Sequence, residues 1–292
     1  MSRADHRLFL TEGAKALTGA LALPGCVVEV FATRDATARE HVLHAVVVGA
    51  GLPWHLVEDD ALASLAETVH PQGVVTVCRF LDRPLADVLL GRSPRLVVVC
   101  ADVRDPGNAG TVIRCADAAG ADAVVLAGHS VDAYNPKTVR ATVGSLFHLP
   151  VSVVDDPAEA VRVLRESGMT VLAADGAGEL DLDDAADDGL LDGPTAWLLG
   201  NEAWGLPDEL ATLSDHRVRI PIHGRAESLN LATAAAVCLY ASARSQRRPR
   251  RLRRPDGQDG QLDGQLGGRL GGRGDAPAEP SRRQPTDRPG SG

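Results

Sequence analysis

Short apolar runs alternate with longer amphipathic segments between residues 95 and 245. Consecutive β-branched residues predict buried strands, and apolar residues that recur every three or four positions predict helices. The pattern predicts, in order, strand 96–101, helix 109–119, strand 123–127, a short helix after Asn135-Pro136, helix 157–166, strand 169–174, strand 195–199, helix 207–213, strand 218–221 and helix 229–243. Such alternation is typical of a mostly parallel sheet with helices on both faces, so we expect an α/β fold.

The first 90 residues show a shorter mixed pattern. It predicts helix 13–21, strand 27–31, helix 37–48 and strand 73–79. Turn residues then cluster between Asp82 and Pro94, where glycine and proline interrupt the pattern. We therefore expect a small α/β domain over residues 1–90 and a second domain over residues 95–245.

The last part of the chain, residues 246–292, is rich in Arg, Gly, Pro, Gln and Asp and has almost no branched apolar residue. Such a segment buries too little apolar surface to offset the entropy of ordering it, so we predict a disordered tail. Its arginines could contact phosphates, or they could serve only solubility. Residues 1–245 carry 19 Lys and Arg against 33 Asp and Glu, a net charge of −14, whereas the tail has a net charge of +5. Any nucleic-acid site in the acidic body must therefore be a local basic patch.

Composition also limits the class of protein. No apolar run approaches the roughly 20 residues that a membrane span needs, and the N-terminus lacks a signal-peptide core, so we expect a cytoplasmic protein without a membrane partner. The five cysteines are widely spaced and show no paired spacing of a zinc or redox motif. We expect buried free thiols and no metal site.

The most informative loop follows the strand at 96–101. In open α/β sheets, loops at the carboxyl ends of strands are where ligands bind. Here the loop and the helix behind it carry the amide of Asn108 and the guanidinium of Arg114. Asn108 is also a suitable cap for a helix that begins at residue 109.

Two further loops follow short apolar strands. The first contains Gly200, Glu202 and Gly205, whose glycines allow close approach of the backbone to a ligand. The second runs from Ile220-Pro221 to Ser228-Leu229-Asn230, and we expect Ser228 to cap the helix that follows. Taken alone, the glycines could be ordinary turn residues and Ser228 an ordinary cap.

Together the three loops resemble the motifs of the SpoU/TrmH family of SPOUT RNA methyltransferases. The matching positions are Asp105, Pro106, Asn108, Gly110 and Arg114 in the first motif, Gly200, Glu202 and Gly205 in the second, and Ile220, Pro221, Ser228, Leu229 and Asn230 in the third. The likeness spans roughly residues 95–243. Residues 1–90 more loosely resemble the ribosomal-protein-like substrate-binding domain that many members carry.

This resemblance implies a fold, a cofactor and a reaction. The fold would be a SPOUT-type parallel sheet with a C-terminal trefoil knot, assembled as a homodimer. S-adenosylmethionine would be held mainly by backbone groups around Gly200, Ile220 and Leu229, with Asn230 beside them. The reaction would be methyl transfer to a ribose 2′-hydroxyl of RNA, with 23S ribosomal RNA favoured and tRNA as the alternative.

The resemblance also implies residue roles. Arg114 would be catalytic, but a guanidinium hardly ever loses its proton, so a base and a clamp for phosphate and alkoxide both remain open. Its alternative is a surface ion pair with Asp117. Asn108 would position the ribose or Arg114, Glu202 and Asn230 would order the loops, and Ser228 would hydrogen-bond within the site. Arg140 would contact an RNA phosphate, or simply be a solvated charge.

Two other functions are compatible with parts of the chain. Asp175-Gly176-Ala177-Gly178 after a predicted strand suggests a dinucleotide-binding oxidoreductase, but it lacks the third spaced glycine. The other is a catalytically silent RNA-binding member of the fold. The intact polar residues of the three motifs argue against the loss of catalytic activity.

Overall fold

Two β-sheets organise the computed structural model, which describes residues 6–66, 71–90 and 93–247. The first has four strands in the order β1-β4-β2-β3; β4 is antiparallel to β1 and β2, and β2 is parallel to β3. The strands are β1 (Leu8–Glu12), β2 (Val27–Ala32), β3 (Trp54–Leu56) and β4 (Val74–Arg79). The accompanying helices are α1 (Ala14–Leu21), α2 (Arg34–Arg39), α3 (His41–Gly49), α4 (Asp59–Ala66) and α5 (Leu85–Leu89).

The predicted helix over 37–48 is wrong as a single element. The chain breaks at Glu40, whose φ of −99° and ψ of 35° are not helical, so α2 and α3 are separate. α2 begins early because the Thr33 hydroxyl accepts a hydrogen bond from the Ala36 amide at 3.2 Å. Strands β1 and β3 were missed because each is short, and their apolar residues pack only once the sheet has formed.

The second sheet has seven parallel strands in the order β7-β6-β5-β10-β8-β11-β9, which confirms the predicted parallel α/β architecture. The strands are β5 (Leu96–Ala101), β6 (Ala123–Ala127), β7 (Val151–Val154), β8 (Thr170–Ala174), β9 (Leu180–Asp181), β10 (Thr195–Leu199) and β11 (His216–Arg219). The helices are α6 (Pro106–Ala119), α7 (Pro136–Thr142), α8 (Pro157–Glu166), α9 (Leu182–Asp187), α10 (Asp208–Ala211) and α11 (Leu231–Arg247). β5, β6 and β10 are buried along their whole length because helices cover both faces of the sheet.

An aromatic cluster joins the two sheets. The Tyr134 ring stacks on Phe80 with centroids 3.9 Å apart and lies 4.8 Å from the Phe9 ring. The Tyr134 hydroxyl donates to Asp82 Oδ1 at 2.9 Å and accepts from the Leu81 amide at 2.6 Å. Burial raises the pKa of this hydroxyl, which keeps it a donor at every physiological pH. The segment after β4 is thereby fixed against the second sheet.

The C-terminal helix enters the segment that we predicted to be disordered. α11 continues through Arg247, and Gln246 Nε2 donates to the carbonyls of Arg95 and Gly193, both at 2.9 Å. Arg247 donates to the Ala119 carbonyl at 3.0 Å. The prediction was therefore wrong for these two residues, because Gln246 binds carbonyls that precede two strands and Arg247 binds the carbonyl at the end of α6. The remainder of the predicted tail, 248–292, lies outside the described residues.

All five cysteines are free thiols, four of them buried and Cys115 half-buried. Within the described ranges no group of His, Cys, Asp and Glu side chains has the arrangement of a metal site. The helices that the structure describes include none with the length and apolarity of a membrane span.

Candidate active site

The first two motif loops meet because their strands are neighbours. β5 and β10 pair in parallel, with Leu199 opposite Cys100, so the loops that follow them leave the same edge of the sheet. The third loop joins β11 to α11, which packs along α6. Topology therefore brings the three sequence-predicted loops to one place.

The first loop ends in a helix cap that the sequence prediction assigned to the wrong residue. Asp105 is the cap, since its Oδ1 accepts from the Asn108 amide at 2.7 Å, and Pro106 occupies the first helical position. α6 thus begins three residues earlier than predicted, because proline suits that position. This hydrogen bond, supported by Lys137 at 3.4 Å, lowers the pKa of Asp105. Because Asp105 does the capping, the side chain of Asn108 is free for other contacts.

Gly110 sets the spacing between α6 and α7. A Cβ atom at this position would lie 2.5 Å from the Thr138 carbonyl oxygen and 2.6 Å from the Ala141 Cβ. Any larger residue would push the helices apart. The motif glycine therefore holds α7, with Lys137 and Arg140, close to the first loop.

Glu202 fastens the second loop to the first. Its carboxylate accepts hydrogen bonds from the backbone amides of Arg104 at 3.1 Å and Asp105 at 3.0 Å, and from Asn108 Nδ2 at 3.1 Å. Partial burial by itself would raise the pKa of Glu202, but these donors outweigh it and the pKa is lowered. A carboxylate with a lowered pKa is a weak base. Glu202 therefore orders the loop as an anion and is poorly suited to take a proton from an alcohol.

The second loop is also closed on itself. Asn201 and Gly205 exchange two backbone hydrogen bonds of 2.9 Å, and Gly205 has a φ of +71° that favours glycine. A Cβ on Gly200 would overlap the backbone of Gly205. The buried side chain of Asn201 donates to the Asp102 carbonyl at 2.6 Å and accepts from Ala203. Sequence reasoning missed Asn201; its place beside a turn glycine was the available signal.

Asn230 connects the third loop to the first. Its Nδ2 donates to Asn108 Oδ1 at 3.0 Å, while its Oδ1 accepts from the amides of Ala232 at 2.9 Å and Thr233 at 3.3 Å. Asn230 therefore caps α11, and the prediction that Ser228 does so was wrong. Ser228 is exposed and forms no hydrogen bond to any residue that the structure describes, so its predicted hydrogen bond within the site is not made here.

Arg114 and Arg140 lie outside this hydrogen-bonded network. Both are exposed, on α6 and α7, and neither forms an ion pair or hydrogen bond within the described part of the chain. The alternative pairing of Arg114 with Asp117 is wrong, because Asp117 instead contacts His148 Nδ1 at 2.7 Å. The two guanidinium groups are therefore available to an anionic ligand.

The third loop offers free backbone groups. Between Pro221 and Leu229 the main chain makes no hydrogen bond to other described residues. The half-buried side chain of Ile220 packs against the core at one end of this stretch, and Leu229 at the other end is half-buried. Residues 222–228 are exposed, so their main-chain donors and acceptors face solvent and are open to a ligand.

The loop that suggested a dinucleotide site is filled by the chain itself. Asp175 binds Arg217 at 2.6 Å and accepts from the Ala177 amide at 2.9 Å. A Cβ on Gly178 would lie 2.8 Å from the carbonyl carbon of Arg217. The backbone of Arg217 packs directly against Gly178 and the Asp175 carboxylate is already paired, which argues against a dinucleotide site in this loop.

The comparisons with known proteins agree with the motif pattern. The model of the SpoU rRNA Methylase family matches residues 95–240. The 23S rRNA (guanosine(2553)-2'-O)-methyltransferase RlmP of Bacillus subtilis is 35% identical over 241 residues, which cover 82% of this chain and 89% of that protein. The 23S rRNA (uridine(2479)-2'-O)-methyltransferase of Streptomyces viridochromogenes is 42% identical over 146 residues, 48% of this chain and 50% of that protein.

Solved structures give the same result for the fold. The AdoMet-bound rRNA methyltransferase from Sinorhizobium meliloti superposes with a TM-score of 0.73 at 34% identity, covering 83% of this chain and 89% of that one. The SpoU methyltransferase AviRb from Streptomyces viridochromogenes, in complex with the cofactor AdoMet, superposes with a TM-score of 0.71 at 31% identity, covering 83% and 92% of the two chains. The likeness therefore extends over both sheets.

Proposed function

The chain belongs to the SpoU rRNA methylase family, and we propose that it transfers a methyl group from S-adenosylmethionine to a ribose 2′-hydroxyl of 23S ribosomal RNA. The family predicted from the three motifs is confirmed. One observation carries the function beyond family membership. Asn230, Asn108 and Glu202 form a continuous hydrogen-bonded chain across all three motif loops, which a catalytically silent relative has no need to keep.

The cofactor fits the third loop. S-adenosylmethionine supplies the methyl group when bound, and two of the similar structures described above are complexes with it. The free backbone between Pro221 and Leu229 supports binding through main-chain groups. Gly200, Ile220, Leu229 and Asn230 are the residues that we assign to this role. The half-buried Ile220 and Leu229 provide apolar walls for it.

Arg114 is the residue that we assign to the reaction itself. An arginine guanidinium hardly ever loses its proton, so Arg114 acts as a clamp on an RNA phosphate and stabilises the negative charge that develops on the ribose oxygen, while the hydroxyl proton passes to solvent water. Asn108 is fixed through its amide by Glu202 and through its oxygen by Asn230, and it orients the ribose beside α6. Ser228 is exposed at the same loop and contacts the bound ligand. Holding the reacting oxygen in line with a methyl donor contributes about 7 to 11 kcal/mol to such a transfer.

The protein acts as a homodimer. Val237 and Tyr240 lie one turn apart on the outer face of α11 and are 37% and 52% exposed. α11 packs along α6, the helix that carries Arg114. Exposed apolar residues beside a functional helix are typical of an interface. A partner subunit on this face would lie next to the reacting groups.

Three further assignments follow from the family. The C-terminal segment forms a trefoil knot, which is supported by the return of α11 to the centre of the sheet, where Trp197 Nε1 donates to Ser242 Oγ at 2.9 Å. The first sheet and its helices, within residues 1–90, form the domain that binds the RNA substrate. The protein works in the cytoplasm, where ribosomal RNA is found.

The choice between RNA classes has a direct test. The purified protein is incubated with methyl-labelled S-adenosylmethionine and, separately, with unmodified 23S rRNA and tRNA transcripts. We expect label only in 23S rRNA. Label in tRNA alone would establish the alternative substrate, and equilibrium binding of S-adenosylmethionine without transfer to either RNA would favour the silent member of the fold.

A further inference from the structure

A cavity of about 400 Å³ lies between the first sheet and helix α7. Its walls come from both parts of the chain: α4 contributes Leu65 and Ala66, β1 ends in Glu12, and α7 contributes Val139 and Arg140. Cavities of this size, with apolar walls and a few polar groups, are typical sites for small planar ligands. Neither the methyl transfer nor the cofactor assignment uses it.

The walls of this cavity are held in a fixed relation. Tyr134 immediately precedes the cap of α7, and its ring and hydroxyl join α7 to Phe80 and Asp82 of the preceding segment. Asp82 is held in turn by Arg7 at 2.9 Å. Because these contacts form within the protein alone, the cavity is ready before a ligand arrives, which reduces the entropy lost on binding.

Polar groups of the cavity remain available. Asn135 accepts the Lys137 amide at 2.9 Å through Oδ1, but its Nδ2 group has no partner within the described ranges. Arg140 at the rim is exposed, and no described side chain pairs with it. The cavity thus combines apolar faces with an amide donor, the Glu12 carboxylate, which accepts from the Gln72 amide at 2.7 Å, and a guanidinium that can hold a phosphate.

The cavity is also adjacent to the candidate active site. α7 contributes Val139 and Arg140 to the cavity and Lys137 to the other side, where Lys137 pairs with Asp105 at the start of α6. Gly110 keeps α6 and α7 in close contact. The cavity and Arg114 therefore lie on two neighbouring, closely packed helices.

We propose that this cavity receives one unstacked nucleobase of the RNA substrate, near the methylated nucleotide, while Arg140 contacts an adjacent phosphate. Sequence-specific RNA recognition usually depends on unstacked bases inserted between side chains, and the apolar walls from Leu65 and Val139 suit the faces of a base. The assignment rests on the proposed function and names part of its substrate site.

Two variants test the cavity, each with a matched control. Leu65→Trp fills the cavity from a half-buried position, and Arg140→Gln removes the charge at its rim. The controls, Leu213→Trp and Arg162→Gln, make the same changes at a second cavity of about 580 Å³ beside α8, which carries three carboxylates and suits RNA poorly. Each cavity variant is expected to raise the KM for 23S rRNA about tenfold. The dissociation constant for S-adenosylmethionine and the melting temperature should stay at wild-type values, as should every property of the controls.

A base-removal series identifies the ligand. Single abasic nucleotides are placed at each position around the methylation site, and the KM of each RNA is measured with wild-type protein and with Leu65→Trp. We expect one position where loss of the base raises the wild-type KM but leaves that of Leu65→Trp unchanged, because the cavity is already filled.

Equal effects in both proteins at every position would overturn the base assignment, as would a wild-type KM in both cavity variants. If Leu65→Trp does not fold, the smaller Leu65→Phe, which also fills the cavity, takes its place in the same RNA series. Absence of methyl transfer by the wild-type protein would refute the proposed function as well, whereas normal transfer with unaffected variants would refute the cavity assignment alone.

Discussion

Asn230 donates a hydrogen bond from Nδ2 to Oδ1 of Asn108 at 3.0 Å, across 122 positions of sequence. Asn108 in turn donates a hydrogen bond from Nδ2 to the Glu202 carboxylate. Glu202 also accepts hydrogen bonds from the backbone amides of Arg104 and Asp105. The three motif loops are therefore one hydrogen-bonded unit. A change at any member is expected to disturb the others, so their effects on activity should not be additive.

Asn230→Asp separates the two roles of this residue. Aspartate is as good a helix cap as asparagine, so α11 should keep its stability, but it cannot donate to Asn108 and it adds a charge near Glu202. Asn108 Oδ1 then loses its hydrogen-bond donor, and the methyl-transfer rate should fall about 10- to 100-fold. Single-turnover kinetics measure the rate, and thermal unfolding checks the cap. Asn230→Ala loses the cap too and should melt lower; equal activity of Asn230→Asp and wild type would exclude the bond from catalysis.

Glu202 should make stability depend on pH in a defined direction. Its pKa is lower in the folded protein than in the unfolded chain, so the folded state binds fewer protons and stability rises with pH through this range. The contribution is complete above the unfolded value of about 4.3 and is lost as the pH falls through the lower folded pKa. The free-energy difference between wild type and Glu202→Gln, from urea unfolding, should therefore shrink toward acid pH. A difference that grows on acidification would contradict the lowered pKa.

Arg114→Ala should remove methyl transfer without removing the cofactor. The exposed guanidinium clamps an RNA phosphate and stabilises charge in the reaction, so the KM for RNA should rise and kcat should fall at least about 100-fold. The dissociation constant for S-adenosylmethionine, measured by calorimetry, should remain within about twofold because Arg114 contacts none of the cofactor loops. Arg114→Lys retains the charge without the planar fork and should recover part of the rate. Ordinary turnover by Arg114→Ala would remove this residue from the mechanism.

Truncation at two neighbouring points should separate the helix from the tail. Deleting residues 248–292 is expected to leave the melting temperature unchanged. Deleting residues 246–292 also removes the hydrogen bonds of Gln246 and Arg247, at a cost of about 1 to 3 kcal/mol. For a protein of this size the melting temperature should then fall by roughly 3 to 8 °C. Equal melting temperatures for the two truncations would show that these side chains contribute nothing to stability.

The sequence predicted the parallel sheet well because each central strand is a short, mostly apolar run that is buried throughout, as in Leu96–Ala101 and Thr195–Leu199. Short edge elements were missed because Trp54–Leu56 and Leu180–Asp181 have too few residues to show a period. Helix starts were misplaced where two possible caps stood close together. Asp105 and Asn230 cap their helices, while Asn108 and Ser228 do not, and only the tertiary contacts decide between them.

The candidate site was predictable as a set of residues but not as a geometry. The motif pattern named Asn108, Glu202 and Asn230, yet nothing in the sequence shows that their amides and carboxylate form one chain of bonds. The buried Asn201 was missed because a turn asparagine is common and its partner, the Asp102 carbonyl, is a backbone group. Side-chain partners that come from distant loops depend on the folded sheet, and a single sequence does not record them.

The central claim is methyl transfer to a ribose oxygen, and alkaline digestion tests it most directly. The protein is incubated with methyl-labelled S-adenosylmethionine and 23S rRNA, and the labelled RNA is then hydrolysed with alkali. A methylated 2′-oxygen cannot attack the neighbouring phosphate, so the account predicts that the label remains in an alkali-resistant dinucleotide. Label recovered in mononucleotides with a methylated base would contradict the account.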